Sequence, residues 1–216
     1  MPVITIRGKL GSGAPEIGKL VADKLQIDYI DREIIAKVAA RLNLEEEEII
    51  EKETPPTGLQ SRIAEALARG FTVGDGIQGV YLPMWQIPLD NNRYLETLTS
   101  FITELAKDHA AVIFGRGGQY ILKNHPRSLH ISTVAPLNLR IQRVMESMKI
   151  NEIMAKQEIA HYDGSAREFI KRYFGAEMED PTQYDLTINT ERYSFNEAAS
   201  IIIESLRIKN FLSTPV

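Results

Sequence analysis

The chain has 216 residues, enough for one substantial α/β domain, and 44% hydrophobic with 25% charged residues is the balance of an ordinary globular protein. A formal net charge of −4 gives no electrostatic case for nucleic acid or an anionic membrane as the main partner, and the absence of cysteine excludes disulfides and thiolate metal sites. No apolar run approaches the roughly 20 residues of a membrane span, and the first residues lack the basic and apolar regions of a secretory leader, so a soluble, cytoplasmic protein is expected.

In chain order, Val3 to Ile6 is short, β-rich and bounded by glycine, the pattern of a buried parallel strand. Pro15 to Leu25 reads as a helix with Ile17, Leu20, Val21 and Leu25 on its apolar face. Ile27 to Ile30 is a second strand ending at Asp31, and residues 33–42 and the acidic run from Glu45 start further helices. Thr54-Pro55-Pro56-Thr57-Gly58 is a break, after which Leu59 to Arg69 is helical again. Gly70 to Pro88 is glycine-dotted yet apolar; Tyr81 and Trp85 make it a candidate homodimer surface, with plain core packing as the other reading. Tyr94 to Lys107 is helical, Ala110 to Phe114 is a third strand and Leu129 to Thr133 a fourth. Helices follow at Leu137 to Met148 and at Asn151 to Phe174, the latter interrupted around Asp163-Gly164. Leu186 to Ile188 is the last strand and Asn196 to Leu206 the closing helix. Strands alternating with helices imply a mostly parallel sheet covered on both faces.

Three constellations carry chemistry. The first is the loop after the first strand, where Gly8, Gly11 and Gly13 let the backbone curl with its N–H groups inward, an anion nest above a helix N-terminus. A phosphate-binding loop of the form Gly-x-x-x-x-Gly-Lys-Ser/Thr has the spacing of Gly8 and Gly13, but Ala14 and Pro15 replace the lysine and the hydroxyl residue. Lys9 is either the substitute cation or a solvated loop lysine.

The second constellation lies at the carboxyl ends of strands, where open α/β sheets bind ligands. Asp31 is a helix cap or a ligand contact; Arg116, between Gly115 and Gly117-Gly118, is suited to a bidentate grip on phosphate or is a surface turn residue. The third is Asp163, Arg167, Lys171 and Arg172. Arg167 and Lys171 share a helix face that either closes on a phosphoryl group or is solvated and ion-paired to Asp163 and Glu168. The four histidines have no metal-ligand spacing.

With these residues in hand, the chain resembles the cytidylate kinase-like family, a branch of the P-loop nucleoside monophosphate kinases. The resemblance spans nearly the whole length. It rests on Ile4-Thr5-Ile6, Gly11-Ser12-Gly13, Glu16-Ile17-Gly18, Asp31-Arg32-Glu33 and Gly115-Arg116-Gly117-Gly118. Ala135-Pro136-Leu137 with Arg140 and Arg143, Arg172-Tyr173-Phe174-Gly175, Asp180-Pro181 and Ile188-Asn189-Thr190 complete it. It implies one P-loop NTPase-type three-layer α/β domain over residues 1–216: a five-stranded parallel sheet flanked by helices, a monophosphate-binding flap at 43–95 and a helical lid at 151–180. It implies ATP and Mg²⁺ as cofactors and small-molecule nucleotides as partners, with transfer of the γ-phosphoryl group to a nucleoside monophosphate, CMP by resemblance.

By that similarity Gly8, Gly11, Ser12, Gly13, Ala14 and Glu16 hold the donor phosphates, and Arg116 meets the acceptor near Asp31. Lys9, Arg167 and Arg172 supply the catalytic charge, and no resident metal ligand is assigned. Members of this branch commonly show Gly-Ser-Gly-Gly-Arg-Glu where this chain has Gly11-Ser12-Gly13-Ala14-Pro15-Glu16. That departure keeps two alternatives open: a nucleotide-binding regulatory protein without turnover, and a kinase for another small phosphoacceptor.

Overall fold

A computed structural model describes residues 1–31 and 92–212. The helices expected between 33 and 69, the break at 54–58, the flap at 43–95 up to residue 91, and the apolar 70–88 segment lie outside them. Five parallel strands form one sheet in the order β2-β3-β1-β4-β5: β1 Val3–Gly8, β2 Asp28–Ile30, β3 Ala111–Phe114, β4 Ser128–Val134 and β5 Leu186–Asn189. The central strand β1 pairs with β3 from Val3↔Ala111 to Ile6↔Phe114, and with β4 from Val3↔Ser128 to Gly8↔Thr133.

The described helices are α1 Ala14–Leu25, α2 Asn92–Asp108, α3 Gly118–Ile121, α4 Leu137–Met148, α5 Glu152–Phe174 and α6 Phe195–Ile208. Strand alternation assigns them to two faces. Ile4 and Ile6 bury against Ile17 and Val21 of α1 and Ile202 and Leu206 of α6. Val3 and Ile113 bury on the other side with Leu98 and Ile102 of α2 and Phe169 and Ile170 of α5. This is the three-layer arrangement that the alternating pattern implies. A third, smaller cluster joins Leu10, Ile141, Val144, Ala155 and Ile159, so the loop after β1 is itself anchored in apolar packing between α4 and α5. Among the described residues no helix is long and apolar enough to cross a membrane.

Apart from the short α3, which was not expected, the described elements fall within two residues of their expected limits, with one correction. The expected interruption at Asp163-Gly164 does not occur: α5 is continuous from Glu152 to Phe174. A glycine in a helix costs about 1 kcal/mol relative to alanine, and tertiary packing overrides it. Ala155, Ile159, Asp163, Ala166, Phe169 and Ile170 are buried along the whole helix. Asp163 was weighed as a solvated partner for lysine or arginine; it is 8% exposed.

Candidate active site

β1 enters the sheet beside β3 and leaves through a loop that turns beneath α1, next to β4. That is the topological switch point of an open parallel sheet, where ligands bind over the carboxyl ends of strands. The loop residues Gly11 and Gly13 hold φ values of +80° and +84°. That left-handed region favours glycine, and a Cβ at Gly11 would meet the Arg140 carbonyl oxygen at 2.7 Å while one at Gly13 would run into the Phe195 ring.

Helix N-termini leave N–H groups unpaired, and the chain treats them differently from one helix to another. In α5 the Asn151 side chain accepts from Met154 N, and in α6 Ser194 and Glu197 form a reciprocal capping box. At α1 the cap is Gly13, which has no side chain to offer. Pro15 in the first turn contributes no N–H, leaving those of Ala14 and Glu16 as donors to an incoming anion.

The loop's other polar groups are committed to the protein. Leu10 N donates to Asp163 Oδ1 at 3.0 Å, and Arg140 Nη1 donates to Leu10 O at 3.1 Å and to Asp163 Oδ2 at 2.7 Å. Both members of that ion pair are buried. Ser12 N donates to Lys9 O, Ser12 Oγ lies 2.7 Å from Thr133 Oγ1, and Thr190 Oγ1 donates to Ser12 O at 2.9 Å. Arg143 Nη1 donates to Gly11 O at 3.2 Å and to Thr190 Oγ1 at 2.8 Å, while its guanidinium covers the Phe195 ring at 4.9 Å. Burial pushes the Arg143 pKa down, opposed by the carboxylates of Glu16 and Glu146. Gly11, Gly13, Glu16, Arg143 and Phe195 line an open cleft beside the nest.

On the neighbouring strand, β3 ends in a second glycine turn. Gly115, Arg116 and Gly117 all have positive φ, and Gly117 caps the short α3. The Phe174 ring packs where a Gly117 side chain would lie and stacks on Tyr120 at 5.0 Å. Arg116 is 4% exposed, and its Nη1 is buried without a hydrogen-bond partner among the described residues. Tyr162 nearby is pushed up to about 12 by burial, with Arg7 and Arg116 pulling it down and Asp31 and Asp163 pushing it up. Tyr29 is raised by burial, then by Asp31 and Glu16.

The residues singled out from the sequence therefore fall into distinct groups. Gly8, Gly11, Ser12, Gly13, Ala14 and Glu16 form the loop and the first turn of α1, with Ala14 buried in the core. Asp31 follows β2, near Tyr29 and Tyr162, and Arg116 closes β3; the helix that Asp31 would cap lies outside the described residues. Lys9 and Arg167 converge on one carboxylate: Glu179 Oε1 is 3.5 Å from Lys9 Nζ and 2.8 Å from Arg167 Nη2. Burial alone would raise Glu179, but Arg167 and Lys9 hold it below the usual range. Arg172 lies in the last turn of α5. Sequence reasoning did not give Asp163 its partners Leu10 and Arg140, Arg7 its partners Met178 and Tyr184, or Glu179 any role. For Arg7 a signal existed: alternation along β1 turns it to the face of Val3, towards Met178 and Arg116.

This fold and loop are of the P-loop NTPase type. Residues 3–192 match the model of the cytidylate kinase-like family, and the chain belongs to that family. A cytidylate kinase of Staphylothermus marinus is 26% identical over 211 residues, covering 94% of this chain and 96% of that protein. A uronate isomerase of Corynebacterium glutamicum is 28% identical over 115 residues, 53% of this chain but only 22% of that protein. The chain thus spans about a fifth of the isomerase and nearly all of the kinase. Among solved structures, an uncharacterized protein from Eubacterium ventriosum superposes with a TM-score of 0.69 at 17% identity, covering 96% of this chain and 99% of that one, a likeness of fold.

Proposed function

We propose that the protein transfers the γ-phosphoryl group of MgATP to a nucleoside monophosphate, with CMP as the first acceptor to try. The observation that carries the reading is the side-chain-free N-terminus of α1 at the switch point, facing the turn that carries a buried arginine with an unpaired donor. Family membership and the similarity to a full-length cytidylate kinase support it.

In this reading the Ala14 and Glu16 N–H groups receive the donor phosphates, and Arg116 receives the acceptor phosphate from the next strand. Arg167 and Arg172, on α5, balance the charge of the transferring group. Magnesium arrives with the nucleotide as MgATP. The displacement is in line, with no covalent intermediate, so the protein's part is positioning and charge neutralisation. The segments 43–95 and 151–180 serve as acceptor flap and lid.

A second reading, nucleotide binding without turnover, is favoured by a specific observation: Ala14 is buried, and both Lys9 and Arg167 are held by Glu179. Each factor of ten in rate corresponds to about 1.4 kcal/mol, so a missing cation can cost several orders of magnitude. ADP release from MgATP with a panel of monophosphates, alongside thermal shift with each nucleotide, separates the readings. ADP formation dependent on one monophosphate establishes the kinase. A clear shift with ATP and no turnover with any acceptor leaves the binder.

A further inference from the structure

The nest's loop has spent most of its polar groups on the protein, but two arginines beside it have not. Arg7 stands at the carboxyl end of β1, on the face opposite Ile4 and Ile6. Its Nη1 donates to Met178 O at 3.1 Å and to the Tyr184 hydroxyl at 3.3 Å. That hydroxyl donates to Met178 O at 2.8 Å and accepts from Gln119 Nε2 at 3.4 Å, so the Arg7 side chain is held from outside the strand. Among the described residues Nε and Nη2 of Arg7 are uncommitted, as is Nη1 of Arg116.

Both arginines line one small cavity with Gly8, Gln119, Tyr162 and Met178. Two like charges sharing a partly dehydrated pocket repel each other, and unspent donors there are costly. Asp163 is already committed to Arg140 and Leu10, and Asp31 is the other carboxylate acting on this corner. A planar arginine fork matches two phosphate oxygens, and a phosphate monoester dianion balances two guanidinium charges. Lys9 is drawn off to Glu179, so among the loop's own basic residues it is Arg7 that reaches this cavity.

We propose that Arg7 is a second binding cation for the acceptor, so that the phosphate of the monophosphate sits between Arg7 and Arg116. Tyr184 is a positioning residue that fixes the Arg7 fork. This rests on the reading of Arg116 as the acceptor cation.

Isothermal titration of the full chain with CMP, cytidine, inorganic phosphate and MgATP tests it, using wild type, R7M, R7K and Y184F. The expected result is that R7M binds CMP and inorganic phosphate about 10–100-fold more weakly, with MgATP within about twofold of wild type. R7K, which keeps the charge without the fork, loses about 3–10-fold, and covers the case in which R7M does not fold. Y184F weakens CMP by about 2–5-fold and leaves MgATP alone, which a purely structural role would not do. Unchanged CMP and phosphate binding in R7K and R7M overturns the proposal, as does a loss of MgATP affinity equal to that of CMP. Failure of wild type to bind either CMP or inorganic phosphate also overturns it. If CMP binds through Arg7 but no monophosphate is ever phosphorylated, the pocket stands and the kinase reading falls.

Discussion

Two glycine turns sit side by side at the carboxyl edge of the sheet, one after β1 and one after β3, and their polar groups meet opposite fates. In the first, the Leu10 peptide is bonded at both ends to the buried Arg140–Asp163 pair, and Ser12 is tied to Thr133 and Thr190. In the second, Arg116 is enclosed with a donor that nothing among the described residues accepts. The first turn is preformed by the protein and presents backbone N–H groups. In the proposed reading the second is completed by the acceptor's phosphate. Stability and binding should therefore respond in opposite ways when each is cut.

The largest effect is expected from Asp163→Ala. It leaves Arg140 as an unpaired buried charge and the Leu10 N–H without its acceptor. Removing one partner of a buried ion pair costs about 3–5 kcal/mol. At about 2–4 °C per kcal/mol for a chain of this size, Tm should fall by about 6–20 °C. ATP affinity should fall with it, because the nest loses its anchor. A change in Tm below about 2 °C would show that the first turn does not depend on this pair.

Arg116→Ala comes next, and its signature is a binding loss without a stability loss. Deleting a buried guanidinium with an unspent donor removes a desolvation cost, so Tm should stay within about 2 °C of wild type or rise. Monophosphate binding should weaken by about 10–100-fold while MgATP stays within about twofold. Equal loss of both nucleotides, or a Tm drop like that of the Asp163 variant, would erase the difference between the two turns.

How much of this could be read from residues alone depends on the range of the interaction. Strand and helix limits follow from local periodicity, and the nest follows from glycine spacing beside a β-rich run. Asp163 could not be read: with Gly164 it looks like a helix breaker, yet its partners are Leu10, 153 positions away, and Arg140. The partner of Lys9 could not be read for the same reason, because Glu179 lies on the far side of α5 in sequence. Arg116 was legible in kind, as an arginine between glycines at a strand end, though not in its burial. Ala14 and Pro15 kept their meaning as the places where this loop differs from a lysine-bearing one.

A third effect sets the pH at which both turns should be compared. His130, in β4 beneath them, bonds Thr5 Oγ1 at 2.8 Å through Nδ1 and lies 3.2 Å from Ser128 Oγ through Nε2. Burial lowers its pKa, with Asp185 opposing. The unfolded chain therefore takes up a proton near pH 6.5 while the folded one does not. This contribution is complete above about pH 6.5 and is lost as pH falls from there through the depressed folded value. Urea unfolding should show ΔG declining below about pH 6.5, with a shallower decline in His130→Gln. An equal slope in both proteins would assign the loss to other groups.

The smallest expected effect concerns the link between the two turns. Glu179 follows α5 and holds Lys9 of the first turn and Arg167 of the helix that packs on the second. All three side chains are substantially exposed, and exposed pairs are worth about 0–1 kcal/mol, so Glu179→Gln should move Tm by less than about 3 °C. Its consequence lies in charge instead. The variant frees two cations, one of them in the loop itself, and MgATP should bind about 2–5-fold more tightly at low salt, with the gain fading above about 0.3 M salt. If turnover is present it should rise as well, because Arg167 is proposed to balance the charge of the transferring group. An unchanged MgATP affinity at low salt would mean that Lys9 and Arg167 do not face the nucleotide even when released. The nest's N–H groups would then be the donor site's main anion contacts among the described residues.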